Sequence, residues 1–413
     1  MENYTVVLFI LALMIGLSAI ADKIKLPYPI ILISAGIAIG FIPALPKVEL
    51  NPEIIFLLFL PPLLYDASFN ISFRQFRINM NTISTLAIWL VFITVVGIAV
   101  IARYFIPGMS WPLGFVLGAI LSATDAVAAM SITKGLGISH KTNTILEGES
   151  LINDASALVA YRFAVAAVTG ATFVFWKASL QFLLLLGGGL LIGLLMGKIL
   201  AFIIQKVKDD AIIVISFMLI MPFVTYLIAE EVHVSGVIAV VTLGVVISRF
   251  SNKIFPDALK NQSRSIWDII IFLLNGLIFI LIGLQFPYIL GNIDESMVLP
   301  YIGYAFLITV TMLAIRTVRM LMQQKSLQNA FARKKFKMSE HALLDVKNSL
   351  IISWAGMRGI VSLAIALGLP HKLADGTPFP LRNEIIFISV VVVLITLIGQ
   401  GLTLPWLVKK LQP

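Results

Sequence analysis

Long apolar runs dominate the chain. Between clusters of Pro, Gly and charge lie thirteen of them, at about 4–21, 28–45, 53–69, 81–105, 112–134, 143–170, 178–205, 210–228, 233–249, 264–284, 298–324, 347–370 and 384–410. Nearly all reach the length at which a helix crosses a hydrocarbon layer of roughly 30 Å. The pattern predicts an all-α polytopic membrane protein with about thirteen transmembrane helices. No polar stretch is long enough to form a separate soluble domain, so residues 1–413 read as a single transmembrane domain.

Composition sharpens this picture. Of 413 residues, 59% are hydrophobic and 12% charged, against about 25% charged in soluble domains. The mean hydropathy is +1.01. The chain has no cysteine, which excludes disulfides, thiolate metal sites and cysteine nucleophiles. The net charge of +9 sits in short loops and reads as the Lys/Arg excess of cytoplasmic loops rather than as a nucleic-acid surface. Ala19-Ile20-Ala21 resembles a signal-peptidase site, but Met1-Glu2-Asn3-Tyr4 carries no positive n-region. The first run therefore reads as a retained span.

Charge also sets orientation. With the N-terminus outside, about 22 Lys and Arg face the inner side and about 5 the outer, from Lys23 through Lys410. The C-terminus is then cytoplasmic in a multi-pass cell-membrane protein. Thirteen spans divide as six, one and six: 4–170, a linker helix at 178–205, and 210–410. Span one enters from outside and span eight from inside, so the halves form inverted repeats, an arrangement typical of transporters that bind substrate at the midplane on interrupted helices. The fifth span of each half is the unusual one. Ser122-Ala-Thr124-Asp125 and Gly356-Met-Arg358-Gly359 each place small residues and one charge about 16–20 Å deep at 1.5 Å per residue.

Charges within spans are costly and mark functional candidates. They are Asp66, Asp125, Glu149, Asp154, Arg162, Arg316 and Arg358. Ser150 and Asp154, and Glu149 and Asn153, are four residues apart and share one side of span six. Thr124, Asp125, Ser150, Asn153 and Asp154 all offer oxygen to a hard monovalent cation. The competing reading is that the carboxylates only pair with the three arginines to hold helices together.

Glu147-Gly-Glu-Ser-Leu-Ile-Asn153-Asp154 resembles the Asn-Asp motif of electroneutral sodium/proton antiporters, the branch of bacterial NhaP-like and animal NHE-like exchangers. Leu60-Pro-Pro-Leu-Leu-Tyr-Asp66, Ser122-Ala-Thr124-Asp125, Asn275-Gly276-Leu-Ile-Phe279 and Met357-Arg358-Gly359 add four further matches in order. The resemblance covers about residues 5–410. It implies sodium or lithium exchange for protons, no enzymatic activity, no cofactor, and a homodimer in lipid with spans 1–3 and 8–10 as scaffold and spans 4–6 and 11–13 as the ion-carrying bundle. It also implies site roles. Asp154 would be the exchanged carboxylate, with Asn153 and Asp125 as polar neighbours. Sodium would be held by Asp154, Ser150 and Thr124, with Asp66 at an inner vestibule. Glu149 would pair with Arg316, and Arg358 would offset helix ends. One departure is Ala126, where the family often has proline after Thr-Asp.

Antiport requires a site that a proton or a metal ion can occupy, but not both. An exposed aspartate, with a pKa near 3.9, holds almost no proton near neutrality, whereas burial in low dielectric favours the neutral form of a carboxyl group. Asn153 in place of a second acid leaves one exchangeable charge, which points to one-for-one exchange. Potassium is the alternative cation, because oxygen ligands alone do not select between the two. A cation channel is less well matched, and an intramembrane aspartyl protease lacks its Gly-x-Gly-Asp loop. His140, His233, His341 and His371 read as loop residues, which disfavours a histidine metal site. The basic loop 325–347 reads as ordinary inner charge or as a contact for anionic lipid.

Overall fold

The computed structural model describes residues 2–24, 27–42, 52–70, 72–133, 136–169, 175–207, 210–332, 343–373 and 376–411. Among them the only β-type pairing is the isolated bridge between Lys372 and Pro378. The helices are α1 Glu2–Ile24, α2 Tyr28–Gly40, α3 Pro52–Asn70, α4 Arg74–Phe105, α5 Trp111–Ser122, α6 Ala126–Thr133, α7 His140–Val168, α8 Phe175–Val207, α9 Ala211–Glu231, α10 Gly236–Ile254, α11 Asp257–Leu290, α12 Glu295–Ala332, α13 Val346–Trp354, α14 Ile360–Leu367 and α15 Arg382–Leu411. Among the described residues nine helical stretches are long and apolar enough to cross a membrane; one of them joins α5 and α6 across the three residues between them. Leu183, Leu191, Phe202 and Trp406 stand more than half exposed, as expected of side chains that face lipid rather than water.

Ser110, Ser139, Asp210, Ser235 and Asp345 each accept a backbone N–H in the first turn of the following helix, which is why those helices begin where they do. His140, expected in a loop, is the first residue of α7. His341 and the basic cluster Arg333–Lys337 lie outside the described residues. Two helices carry a wider, π-type turn, α4 at Thr85–Leu90 and α15 at Ile395–Gln400.

The chain forms two compact units. One comprises residues 50–73 and 172–275, the other the rest. In the smaller unit, Gly188, Gly189 and Gly193 bring α8 against α10, where an added Cβ would meet Val234, Ser235 and Ala239. Small residues allow such close approach of membrane helices. Gly187, in the same glycine run, faces open space. Tyr65 of α3 packs its ring against Trp267 at 5.0 Å between centroids.

In the larger unit, α5 lies against α4, with Gly114 and Gly118 pressed on the backbone of Ala99 and Val95. Near their first turns α7 and α13 are joined directly. Thr142 Oγ1 donates to Asn348 Oδ1 at 3.0 Å, and Lys141 Nζ donates to the Leu343 carbonyl. This unit holds both interrupted helices.

Candidate ion-binding site

The first interruption falls where the small-residue segment predicts. α5 ends at Ser122 and α6 begins at Ala126, leaving Ala123, Thr124 and Asp125 between the two helices. The break forms without proline at position 126. Side chains supply what a proline would otherwise enforce. Ser150 Oγ donates to the Thr124 carbonyl at 2.8 Å and accepts the Ala126 N–H at 3.4 Å, stitching both sides of the gap to α7. The second interruption separates α13, ending at Trp354, from α14, starting at Ile360. The two breaks meet, because the Asp125 N–H donates to the Met357 carbonyl at 2.8 Å.

Opposite charges serve opposite helix ends at this crossing. Asp125 Oδ1 accepts the Ala128 N–H at 3.0 Å, with the N–H groups of Val127 and Ile360 close by. A carboxylate therefore sits at the N-termini of α6 and α14, where the helix dipole favours negative charge. Gly359 makes this possible, since a Cβ there would overlap the Asp125 carboxylate. On the other side, Arg316 Nε and Nη2 donate to the Ile352 carbonyl at 3.2 and 3.1 Å, and Arg358 Nη1 donates to the Gly356 carbonyl at 3.3 Å. Two guanidinium groups thus satisfy carbonyls at the C-terminal end of α13. The Arg358 backbone N–H is taken by Thr396 Oγ1 at 3.1 Å, at the π-type turn of α15.

Arg316 has a second task. Its guanidinium grips Glu149 two-pronged, through Nη1 to Oε1 and Nη2 to Oε2 at 2.7 Å. Glu149 Oε1 also accepts from Thr124 Oγ1 at 3.4 Å, and Thr124 Oγ1 in turn accepts from Asn153 Nδ2. A chain of side chains thus runs Asn153–Thr124–Glu149–Arg316. It uses the Asn153 amide nitrogen, so the Asn153 carbonyl oxygen points elsewhere.

Asp154 stands apart from this network. It is 7% exposed, yet among the described residues its Oδ1 has no hydrogen-bond donor, and neither has Oδ1 of the fully buried Asn153. Buried oxygens without donors are rare in folded proteins. Two of them on consecutive residues of α7, together with the unpaired Asp125 Oδ2 and with Asp125 within electrostatic reach of Asp154, are acceptors of the kind that suit a small cation or a proton. Among the described residues no three His, Cys, Asp or Glu side chains come together as a metal-binding group, so the donor chemistry is that of carboxylate, amide, hydroxyl and backbone oxygens.

The structure thus brings together Thr124, Asp125, Glu149, Ser150, Asn153, Asp154, Arg316 and Arg358. Asp66 belongs to the smaller unit, where it accepts from Asn70 Nδ2 at 2.8 Å. Arg162 is exposed on α7. Thr396 and the carbonyls of Ile352, Gly356 and Met357 were not legible as site groups. Their role depends on which backbone groups the breaks leave unpaired, and no side-chain pattern encodes that.

Known proteins resemble the chain over nearly its whole length. Residues 9–410 match the family model described as sodium/hydrogen exchanger, transmembrane. The chain is 35% identical over 420 residues to the sodium, potassium, lithium and rubidium/H(+) antiporter of Bacillus pumilus, with 99% of the chain aligned, and it spans 62% of that relative's length. It is 33% identical to the Na(+)/H(+) antiporter ApNhaP of Aphanothece halophytica over 99% of the chain and 75% of that protein. The fold matches the sodium proton antiporter MjNhaP1 from Methanocaldococcus jannaschii, solved at pH 8, with a TM-score of 0.72 over 100% of the chain and 99% of that protein, at 20% identity.

Proposed function

The chain belongs to the sodium/hydrogen exchanger family, and from that premise we propose that it exchanges sodium or lithium for protons, one for one, with Asp154 as the residue both ions occupy. The family is one of transporters rather than enzymes, and the chain is a multi-pass membrane protein. The observation that carries the proposal is the division of labour among three buried acids. Glu149 is held by Arg316 and Asp125 accepts the Ala128 N–H through one oxygen, whereas no donor among the described residues reaches Asp154.

A charge census supports the stoichiometry. Glu149 and Arg316 cancel, and Asp125 and Arg358 offset opposite helix ends and each other. One negative charge remains on Asp154, so a single proton or a single sodium restores neutrality. Sodium would draw oxygens from Asp154, Asn153 and the Thr124 region. Ser150 Oγ, with one donor and one lone pair already engaged, keeps a second lone pair for the ion. Asp66 would line the inner approach.

In the same reading the membrane holds thirteen spans as two inverted halves. The N-terminus is outside, the C-terminus is cytoplasmic, and the bundle of spans 4–6 and 11–13 carries the ion while a homodimeric scaffold supports it. The two interruptions, one per half and of opposite charge, support the inverted arrangement. Potassium is the second reading, favoured by the printed cation range of the Bacillus pumilus relative.

Proteoliposomes with a trapped pH dye test the proposal. Sodium or lithium is expected to dissipate an imposed pH gradient without generating a membrane potential. A response to potassium equal to that of sodium would favour the second reading. Responses to choline as well, or to no cation at all, would refute antiport.

A further inference from the structure

The half-helix α14 is only eight residues, about 12 Å long, and both its ends lie in protein. Its inner end begins at Ile360, beside the Asp125 carboxylate. Its outer end must satisfy carbonyls that no following turn can reach, because Pro370 closes the segment. The Gly368 and Leu369 N–H groups fold back onto Ala364 and Ala366 at 2.9 and 3.2 Å. Beyond them, the carbonyls of Leu367, Gly368 and Leu369 each receive a side-chain donor. Arg382 Nε donates to Leu369 at 3.0 Å and its Nη2 to Leu367 at 3.2 Å, while Tyr161 Oη donates to Gly368 at 3.2 Å.

The two donors come from informative places. Tyr161 lies on α7, seven residues beyond Asp154, which is two helical turns on the same face. Arg382 opens α15 directly after Leu381, whose φ of 50° is a left-handed conformation unusual for leucine. The chain thus accepts local strain at the residue that aims the guanidinium. The rigid planar fork of arginine reaches the two carbonyls from separate nitrogens, which the single ammonium of lysine does not reproduce.

We infer that Tyr161 and Arg382 are positioning residues for ion exchange: together they clamp the outer end of α14 and so set the register of the Asp125 crossing against Asp154 on α7. The inference rests on the antiport reading. α14 acts as a strut, with Asp125 at one end and the clamp at the other. Tyr161 ties that strut to the helix that carries the exchanged carboxylate. A shift of α14 along its axis moves Gly359 and Ile360 against Asp125 and changes how closely the Asp125 charge sits to the cation held by Asp154.

The test is sodium-driven proton movement in proteoliposomes, read as apparent sodium KM and maximal rate separately, for the parent chain, Tyr161→Phe, Arg382→Lys and Arg382→Ala. Tyr161→Phe keeps the ring and removes one hydrogen bond, so a rise of about fivefold in KM is expected, with maximal rate within about twofold. Arg382→Ala should raise KM about tenfold or more, and Arg382→Lys should recover part of that loss by reaching one carbonyl. Unchanged KM in all three variants, with rate falling only as folded protein falls, would show a merely structural cap and overturn the inference. A parent without exchange would instead overturn the antiport reading and this inference with it.

Discussion

The two interruptions face each other yet solve opposite problems. Around Asp125 the exposed backbone groups are N–H donors at the starts of α6 and α14, and an acid meets them. Around Gly356–Arg358 they are carbonyls at the end of α13, and Arg316 and Arg358 meet them. The difference shows why an acid can lie near the centre of the structure without being an exchange site. Asp125 already has backbone partners, and Glu149 has a guanidinium. Asp154 has neither, on the same helix and one turn and a half beyond Glu149.

The sharpest way to break that comparison is at Asp154. Asp154→Asn keeps size and removes the charge, so exchange should vanish while the protein melts at or above the parent temperature, a neutral amide being easier to bury. Retained transport would end the assignment. In the parent, apparent sodium affinity should fall about tenfold per pH unit at acid pH and flatten at alkaline pH, as shared occupancy of one group requires. Affinity that ignores pH would move the proton to another residue.

Next in size is the satisfied pair. Glu149→Ala or Arg316→Ala strands the other charge in a buried site, which typically costs about 3–5 kcal/mol. The double variant should be no less stable than either single one. Thermal melts of the four proteins close the cycle, and additive losses would mean that the contact is not energetically coupled.

The glycines beside each charge come third. An alanine at Gly359 would collide with the Asp125 carboxylate and one at Gly356 with the Arg316 guanidinium. Each should cost about 1–3 kcal/mol by overpacking. Gly359→Ala should also impair exchange more than Gly356→Ala, because it displaces the acid at the crossing rather than the structural arginine. Equal transport in the two would blur the distinction drawn between the breaks.

The smallest effect is expected at Thr396. Thr396→Val removes the acceptor of the Arg358 N–H and should cost about 1 kcal/mol, visible as a small fall in melting temperature. A loss as large as that of Arg316→Ala would show that the π-type turn of α15 holds the crossing more firmly than a single hydrogen bond can.

Much of this was legible in the chain. Apolar length predicts membrane helices because lipid leaves backbone groups no other partner. The residues of Ser122–Asp125 and Gly356–Gly359 mark both interruptions, as matched runs of small residues around one charge in the fifth span of each half. The spacing of Glu149, Ser150, Asn153 and Asp154 puts four polar groups on one side of α7. The pairing of Glu149 with Arg316, 167 positions apart, was implied by the family resemblance, while the charges alone left three arginines open.

What the tertiary structure decided is which of these groups are already engaged. Periodicity places side chains on a face but does not say which backbone carbonyls a break leaves open. The acceptor role of Thr396, the commitment of Ser150 to both sides of the first break and the clamp of Tyr161 and Arg382 on α14 arise only when segments distant in sequence meet. Asp125, Glu149 and Asp154 are equally acidic as letters in the chain. Two of them find donors when the helices pack, and the remaining one is singled out by having none.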